Sequence, residues 1–355
     1  MASSSDRSKR SPCASRSIRG AQVSGGVARL RLVATLAAVA VALVPAPVRC
    51  QITPDEANQI KSAISARIEA LTILGGDYGL TGGDFRSTGK FQSEGNSDAE
   101  LVVTKLGGAG DFGLPQPIDA AGIGWQGRLQ GNMGYVEASN HFHSQLLAGD
   151  VNTFKTFAVQ FGGGVRFWVT DKLSFAPIVL GMYGTTTNSY TANSAFMQAN
   201  LARATELGLV DWNVDTWGVR TSINIQYLFL WGRTRIKLSS EPIYYHTQSF
   251  NSSNPNVNVT GDSEAVVNTI DIDIPLGVEL WGHELRTGGD ISRTDLFGDL
   301  RQGLALDHVN EIHPRLVLDF LNQLWKVQWI GLGASYVWGP NFTGWTAGLD
   351  VVFRF

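Results

Sequence analysis

The chain has 355 residues, of which 43% are hydrophobic and only 17% are charged. This length allows one large or two ordinary domains, and the charged fraction is low for a protein that lives in water. The net charge is -3, and lysine and arginine are scattered after residue 50, so we expect no nucleic-acid partner.

Residues 1–50 are predicted to be an export signal that is cleaved from the mature chain. A basic stretch is followed by the apolar run LVATLAAVAVALV at 32–44. That run is shorter than a transmembrane helix and typical of the apolar core of a signal peptide. A short anchoring helix is the alternative interpretation, and the cleavage site and translation start stay open. Since Cys13 and Cys50 are the only cysteines, we expect no disulfide in the exported protein.

Residues 51–76 are predicted to form an amphipathic helix and a linker. The segment TPDEANQIKSAISARIEALTIL at 53–74 opens with a Thr-Pro pair and acidic residues, and two glycines follow it. These are start and stop signals of a helix. Its apolar residues recur at helical spacing and share one face: Ile60, Ile64, Ile68 and Leu71.

From residue 77 to residue 355, apolar and polar residues alternate with a period of two. In TIDIDIPLGVEL, aliphatic residues from Ile270 to Leu280 alternate with acidic residues, proline and glycine. This period predicts β-strands with one apolar and one polar face. The predicted strands cover 77–88, 99–106, 123–138, 153–169, 173–190, 213–231, 233–249, 264–281, 283–297, 308–324, 327–339 and 342–355.

The connections between the predicted strands fall into two classes. Short turns lie at 170–172, 231–233, 281–283 and 324–326, and longer loops lie at 139–152, 191–212, 250–263 and 298–307. One long loop carries a helical pattern at 193–208. A tight turn at 339–341 and a linker at 107–122 are exceptions. With the C-terminus in the periplasm, every short turn of this set falls on the periplasmic side, as in outer-membrane barrels.

Strand length and the position of aromatic residues indicate a barrel in a membrane. Several strands exceed the roughly 9 to 11 residues that cross a bilayer at a tilt, and their apolar face carries almost no charge. Tryptophan and tyrosine lie toward both strand ends, as in headgroup-level girdles. The turn-side set is Trp168, Trp231, Trp281, Trp325 and Trp329, and the loop-side set is Tyr135, Tyr183, Trp212, Trp217, Tyr244, Trp338 and Trp345. A soluble sandwich is the alternative. We predict an all-β fold, a closed antiparallel transmembrane β-barrel of about twelve strands over residues 77–355.

The charged residues of the polar face are predicted to line the lumen of this barrel. They are Arg128, Arg166, Arg220, Arg235, Lys237, Glu241, Asp271, Asp273, Glu279, Arg315, Asp319 and Asp350. One interpretation is a pore for small solutes whose selectivity depends on the balance of charges. The other, which we favour, is that opposite charges pair across neighbouring strands and hold the wall together.

The chain ends on GWTAGLDVVFRF, a strand with a terminal phenylalanine. Its apolar face is predicted to be the signal that the barrel-assembly machinery recognises: Trp345, Leu349, Val351, Phe353 and Phe355. The expected partners are therefore this machinery, periplasmic chaperones, outer-membrane lipid and lipopolysaccharide.

The helix at 53–74, the strand count and the ending VQWIGLGASYVWGPNFTGWTAGLDVVFRF together resemble the autotransporter β-domains. The resemblance covers about residues 53–355 and is closer to the solitary outer-membrane autotransporter-like barrels. It implies a Gram-negative outer-membrane location and a helix that plugs the lumen, with a periplasmic helix as the alternative. Because few residues separate the predicted signal from Thr53, no secreted passenger is expected.

Candidate catalytic and metal sites are weak. The loop segment NHFHSQ brings His141, His143 and Ser144 together at the predicted outer rim, but spacing identifies no third residue to orient a base. His308 and His313 lie too far apart to chelate from one strand face. We therefore expect no catalytic residues, no metal and no cofactor. The alternative is an enzyme that acts on lipid at the outer rim.

Overall fold

The computed structural model describes residues 79–87, 97–112, 124–304, 306–320, 327–340 and 342–353. The predicted export signal and the predicted helix at 53–74 lie outside these residues. The strands are β1 Gly79–Ser87, β2 Ser97–Phe112, β3 Gly124–Phe142, β4 Val151–Trp168, β5 Leu173–Thr191, β6 Trp212–Trp231, β7 Thr234–Phe250, β8 Thr260–Leu280, β9 His283–Phe297, β10 His308–Asp319, β11 Val327–Gly339 and β12 Phe342–Phe353. The helices are α1 Ala195–Glu206, α2 Gly298–Leu304 and a 3-10 turn at Pro255–Val257.

The strands pair in chain order, and the order closes on itself. Every neighbouring pair is antiparallel, and β1 pairs with both β2 and β12. Leu80 lies opposite Leu106 on one side and Leu349 on the other. Closure satisfies the backbone groups that an open sheet would leave unpaired along two edges. The prediction of an all-β antiparallel barrel is confirmed.

Two of the short turns have backbone conformations suited to two-residue hairpins. Trp231 pairs with Thr234, and Gly232 between them has a positive φ of 60°. Leu280 pairs with His283, and both intervening residues have positive φ, 54° at Trp281 and 78° at Gly282. Turns of this kind match the twist of the strands that they join. Here, glycine supplies a conformation that other residues rarely adopt.

Alternate side chains of each strand differ sharply in exposure. Along β5, Ala176, Ile178 and Leu180 are buried, whereas their neighbours Phe175 and Val179 are exposed. In a closed barrel, the first set faces the interior and the second set faces outward. Each strand from β3 to β12 accordingly carries at least one large exposed apolar residue on its outer face, including Leu129, Phe161, Val179, Ile223, Leu238, Ile270, Ile291, Leu316, Leu332 and Leu349.

The predicted aromatic girdles are partly correct. On the loop side, Tyr135, Tyr183, Trp217, Tyr244 and Trp345 are exposed on the outer face, as Trp231 and Trp281 are beside the short turns. Three other members lie on the opposite, interior face. Trp168 donates a hydrogen bond to Gln126, Trp329 lies 5.4 Å from the guanidinium of Arg315, and Trp212 is buried. Trp325 lies outside the described residues. Distance from a turn does not determine which face of a strand a residue occupies, because side-chain direction alternates at every residue.

Several strands are longer than predicted. Strand β2 was expected to end at 106 but continues to Phe112, where residues 107–112 pair with 127–132 of β3. Strand β3 continues to Phe142, so His141 is part of a strand and not of a loop. Strand β8 begins at Thr260, four residues before the predicted start at 264. Glycine and polar residues obscure the alternation in these segments, while the backbone ladder continues regardless of side chain.

At the end opposite the short turns, Asp150 joins the loop before β4 to the loop after β5. This buried carboxylate accepts hydrogen bonds from the backbone N–H groups of Asn193 and Ser194, from the hydroxyl of Ser194 and from that of Tyr190. Ser194 also caps α1, which confirms the helix predicted at 193–208. Burial and the bond to Asp150 raise the pKa of Tyr190, at the loop end of β5. The result is a tethered loop cluster over β3 to β6.

Candidate functional site

The interior face of the barrel collects most of the charged residues that the alternation pattern selected. Of the predicted set, ten residues lie in ion pairs, and these pairs connect strands that are neighbours or are separated by one strand. The remaining two, Arg235 and Glu279, also lie on the interior face of their strands but are exposed near the short turns. The interior wall is therefore the candidate functional surface.

On β2 to β4, two arginines share one carboxylate. Asp111 lies 2.9 Å from Nη1 of Arg128 and 2.9 Å from Nε of Arg166. Arg166, which is 1% exposed, also donates to the hydroxyl of Ser174 and to the amide oxygen of Gln226. Burial of a guanidinium is tolerated when its donors are used in this way. Asp111 was missed because the sequence placed it in a linker.

A second buried pair joins β6 to β7. Arg220 donates from Nη2 to Oε1 of Glu241 at 2.8 Å, and the amide of Asn224 donates to the other carboxylate oxygen at 2.9 Å. Both residues of the ion pair are at most 8% exposed. Within the described residues, this carboxylate therefore has one cation and one neutral donor.

On β7 to β10, the charges form a continuous chain. Asp271 lies between Lys237 at 3.2 Å and Arg315 at 2.8 Å. Arg315 also reaches Asp290 at 3.5 Å and packs over the ring of Trp329. Asp271 is shared by two cations, so the loss of either one leaves the other in place.

A second chain on the same half of the wall centres on Arg286. It binds Asp273 with two nitrogens at 3.0 and 2.6 Å, Glu284 at 3.0 Å and Asp319 at 3.7 Å. The sequence reasoning omitted Glu284, Arg286 and Asp290. Their even spacing in HELRTGGD was the signal that could have found them, because it gives them one face of β9.

Near the last strand, His313 bridges two polar groups. Its Nδ1 lies 2.8 Å from the hydroxyl oxygen of Ser335, and its Nε2 lies 3.0 Å from a carboxylate oxygen of Asp350. Asp350 was predicted to face the lumen, whereas His313 was considered only as a metal ligand. Among the residues described, no group of three or more His, Cys, Asp or Glu side chains is arranged to hold a metal ion.

One part of the interior wall is neutral. Ala176, Ile178 and Leu180 of β5 form a buried apolar strip. Beside it, Gln130 and Gln160 are buried on β3 and β4, and side-chain atoms of both lack a hydrogen-bond partner in the described part of the chain. Buried polar atoms without a hydrogen-bond partner destabilise the folded protein unless another group forms a hydrogen bond with them.

The rim residues considered for catalysis do not form a triad in the described loops. The hydroxyl oxygen of Ser144 accepts a hydrogen bond from the backbone N–H of Leu147 and so stabilises the turn after β3. His141 and His143 are exposed. On the last strand, Trp345 and Leu349 are exposed on the outer face and Val351 is half-buried. Nothing is described of Phe355 or of the side chain of Phe353.

A closed antiparallel barrel with an apolar exterior and a charged interior belongs to the class of outer-membrane β-barrel proteins. In the described residues, no helix is long and apolar enough to cross a membrane. Residues 112–355 match the model of the solitary outer membrane autotransporter beta-barrel domain. This match covers more than half of the chain, which therefore belongs to that family.

Several solved structures are similar to this chain at low sequence identity. The β domain of the Bordetella autotransporter BrkA shares 11% identity over 78% of this chain and 100% of its own, with a TM-score of 0.42. The transport unit of AIDA-I from Escherichia coli shares 10% sequence identity, and the match covers 84% of this chain and 99% of the AIDA-I chain, with a TM-score of 0.47. The translocator domain of NalP from Neisseria meningitidis shares 10% sequence identity, and the match covers 82% of this chain and 94% of the NalP chain, with a TM-score of 0.44. No curated protein matches the chain.

Proposed function

We propose that this protein resides in the outer membrane of a Gram-negative bacterium as a structural barrel or a passive pathway for small solutes. The observation that supports this best is its inverted polarity, with aliphatic residues around the outside and ion pairs on the interior wall. Such a surface is stable against lipid and costly in water. This role requires no catalysis and no cofactor.

The interior charges serve mainly to join the strands. The pairs Arg220 with Glu241 and Lys237 with Asp271 both link adjacent strands. Charges that neutralise each other in this way leave little net field for an ion in transit. Because carboxylates outnumber basic residues on the interior face of β7 to β12, we expect any conductance to show a weak preference for cations.

The helix predicted at 53–74 is proposed to occupy the interior. A twelve-strand barrel is wider than the eight-strand barrel that side chains alone fill. The apolar strip of Ala176, Ile178 and Leu180 offers a surface for the apolar face of the helix. The interior face of β7 to β12, where carboxylates outnumber basic residues, offers partners for Lys61 and Arg67 of the helix. Packing of both faces at once would favour this position over a free helix in the periplasm.

Electrophoresis of unheated and boiled samples tests the barrel itself. A closed barrel resists detergent at room temperature, so the unheated protein should migrate faster than the boiled protein. Identical migration of the two samples, with a purified chain that stays in buffer without detergent, would contradict a membrane barrel.

Planar-bilayer conductance tests the helix in the interior. The full chain should conduct in small steps, and deletion of residues 53–74 should give larger and longer openings. The double substitution Ile64→Glu with Ile68→Glu keeps the length but removes the apolar face, so it should behave like the deletion. The matched control Lys61→Gln, on the polar face, should behave almost like the unchanged chain. Equal conductance of all four proteins would refute the plug and leave the barrel proposal intact.

The last strand is proposed to be the signal for the assembly machinery and its chaperones. Trp345 and Leu349 lie exposed on one outer face of β12, available to a partner before the barrel closes. Removal of Phe355 should lower the amount of heat-modifiable barrel in outer-membrane fractions. Substitution of Thr346, which faces the interior, is the control and should leave assembly unchanged.

A further inference from the structure

Three polar side chains on the last three strands form a continuous hydrogen-bond chain. His313 of β10 lies between Ser335 of β11, at 2.8 Å, and Asp350 of β12, at 3.0 Å. A carboxylate can only accept, so Nε2 carries the proton shared with Asp350. In the neutral ring, Nδ1 then accepts the hydroxyl proton of Ser335. This is the order of nucleophile, base and orienting carboxylate that serine hydrolases use.

A glycine makes room for the histidine in this arrangement. Gly333 faces the interior on β11, two residues before Ser335, and its register partner on β12 is Gly348, two residues before Asp350. A Cβ at this position would lie 2.5 Å from Oδ2 of Asp350 and 2.5 Å from Cε1 of His313. The ring therefore lies over Gly333, and a larger residue there would displace it. The two hydrogen bonds depend on this space.

A fourth group stands beside the nucleophile. Thr346 lies directly opposite Ser335 in the register of β11 and β12. It is 2% exposed, and its hydroxyl has no hydrogen-bond partner within the described residues. A buried hydroxyl in this state is free to donate to an oxygen that enters the site. In acyl transfer, the developing oxyanion needs such a donor.

We propose that Ser335, His313 and Asp350 form a hydrolytic site that faces the barrel interior and acts on small carboxylic esters. Oγ of Ser335 bonds to the carbonyl carbon while His313 takes its proton, and Thr346 donates to the oxyanion. The carbon–alkoxide bond then breaks, and His313 returns the proton to the leaving alcohol. Water attacks the acyl-serine with His313 as base, which releases the carboxylic acid and restores the hydroxyl of Ser335.

The surroundings of the site select the charge of the ester. Asp290 lies directly opposite His313 in the register of β9 and β10, and Glu311 shares the interior face of β10 with it. Arg315 is the nearby cation, and it is engaged with Asp271 and Asp290. Carboxylates around a narrow site repel anions. The site is therefore expected to accept neutral or cationic esters and to reject anionic ones.

Covalent labelling of the full chain in detergent micelles tests this site. A neutral fluorophosphonate probe should modify the heat-modifiable form, and peptide mapping should place the adduct on Ser335. Ser335→Ala should remove the adduct. Ser222→Ala is the matched control, because Ser222 is another buried interior serine, and it should leave labelling unchanged. A folded full chain that stays unlabelled would overturn the proposal.

Turnover of esters adds a second readout. The neutral p-nitrophenyl butyrate and the cationic butyrylthiocholine should be hydrolysed faster than the anionic p-nitrophenyl hemisuccinate. Asp350→Asn keeps the size of the side chain but removes the charge that orients His313. It should slow labelling at least about 100-fold, the smallest effect usually found for loss of a positioned base. Labelling unaffected by Asp350→Asn would assign these contacts a purely structural role and refute the site, without bearing on the barrel.

Discussion

The two halves of the interior wall bury charge in different ways. On β2 to β6, few charged residues lie among glycines, amides and aliphatic side chains, and arginines reach single carboxylates such as Asp111 and Glu241. On β7 to β12, carboxylates outnumber basic residues: Arg286 contacts Asp273, Glu284 and Asp319, and Asp271 lies between Lys237 and Arg315. A buried carboxylate that contacts a single cation is left as an unpaired charge when that cation is removed, whereas a carboxylate between two cations keeps the other one. Glu241, which contacts one arginine, and Asp271, which lies between two cations, should therefore respond differently to the loss of an arginine.

Removal of one arginine from each half should give the largest difference in the free energy of unfolding. Arg220→Met leaves the buried Glu241 with only the amide of Asn224 and should destabilise the barrel by about 3 to 5 kcal/mol. Arg315→Met leaves Asp271 with Lys237 at 3.2 Å, so the expected cost is about 1 to 3 kcal/mol. Urea unfolding in detergent, followed by tryptophan fluorescence, measures both. Equal losses would show that sharing of carboxylates has no energetic value here.

Substitution of one interior glycine in each half should give the next largest difference in the free energy of unfolding. A Cβ at Gly164 would overlap the backbone carbonyl of Pro177, which is fixed by the strand. Gly164→Ala should therefore cost about 3 kcal/mol. The three atoms nearest to a Cβ at Gly333 belong to the side chains of His313 and Asp350, which can rotate away, and Gly333→Ala should cost about 1 kcal/mol.

Gly181→Ala is the control for both glycines. It lies on the outer face, and its nearest neighbouring atom would be 3.9 Å from the added Cβ. The unfolding midpoint of this variant should match that of the unchanged chain. If Gly164→Ala is tolerated equally well, the close approach of β4 and β5 is not a constraint on the barrel.

The smallest expected effect concerns the neutral part of the first half. Both polar atoms of the Gln160 amide lack a hydrogen-bond partner in the described part of the chain, and the residue is buried. Gln160→Met has a similar volume and no amide, so it should raise the free energy of unfolding by about 1 kcal/mol. Thr156→Val is the contrast, because Thr156 shares a hydrogen bond with Thr186 at 3.1 Å. A loss of stability in Gln160→Met would indicate that the amide is satisfied in the folded protein.

The strand pattern and the identity of the two faces were predictable from the sequence alone. Strand β9 has the bounds 283–297 that were predicted, and Leu129, Ile270 and Leu349 lie on the predicted outer face. The reason is that side-chain direction alternates with every residue, so a local pattern reports it directly. Where glycine and polar residues interrupt the pattern, as in β2 beyond residue 106, the prediction failed.

Which charges meet was decided only by the tertiary structure. Asp111 reaches Arg166, which is 55 positions away, and Ser335, His313 and Asp350 come from three different strands. Contacts of this kind depend on the register between strands, and register depends on turn lengths and bulges around the whole barrel. Alternation assigns each residue to a face, but it carries no information about the height at which a neighbouring strand will place its own residues.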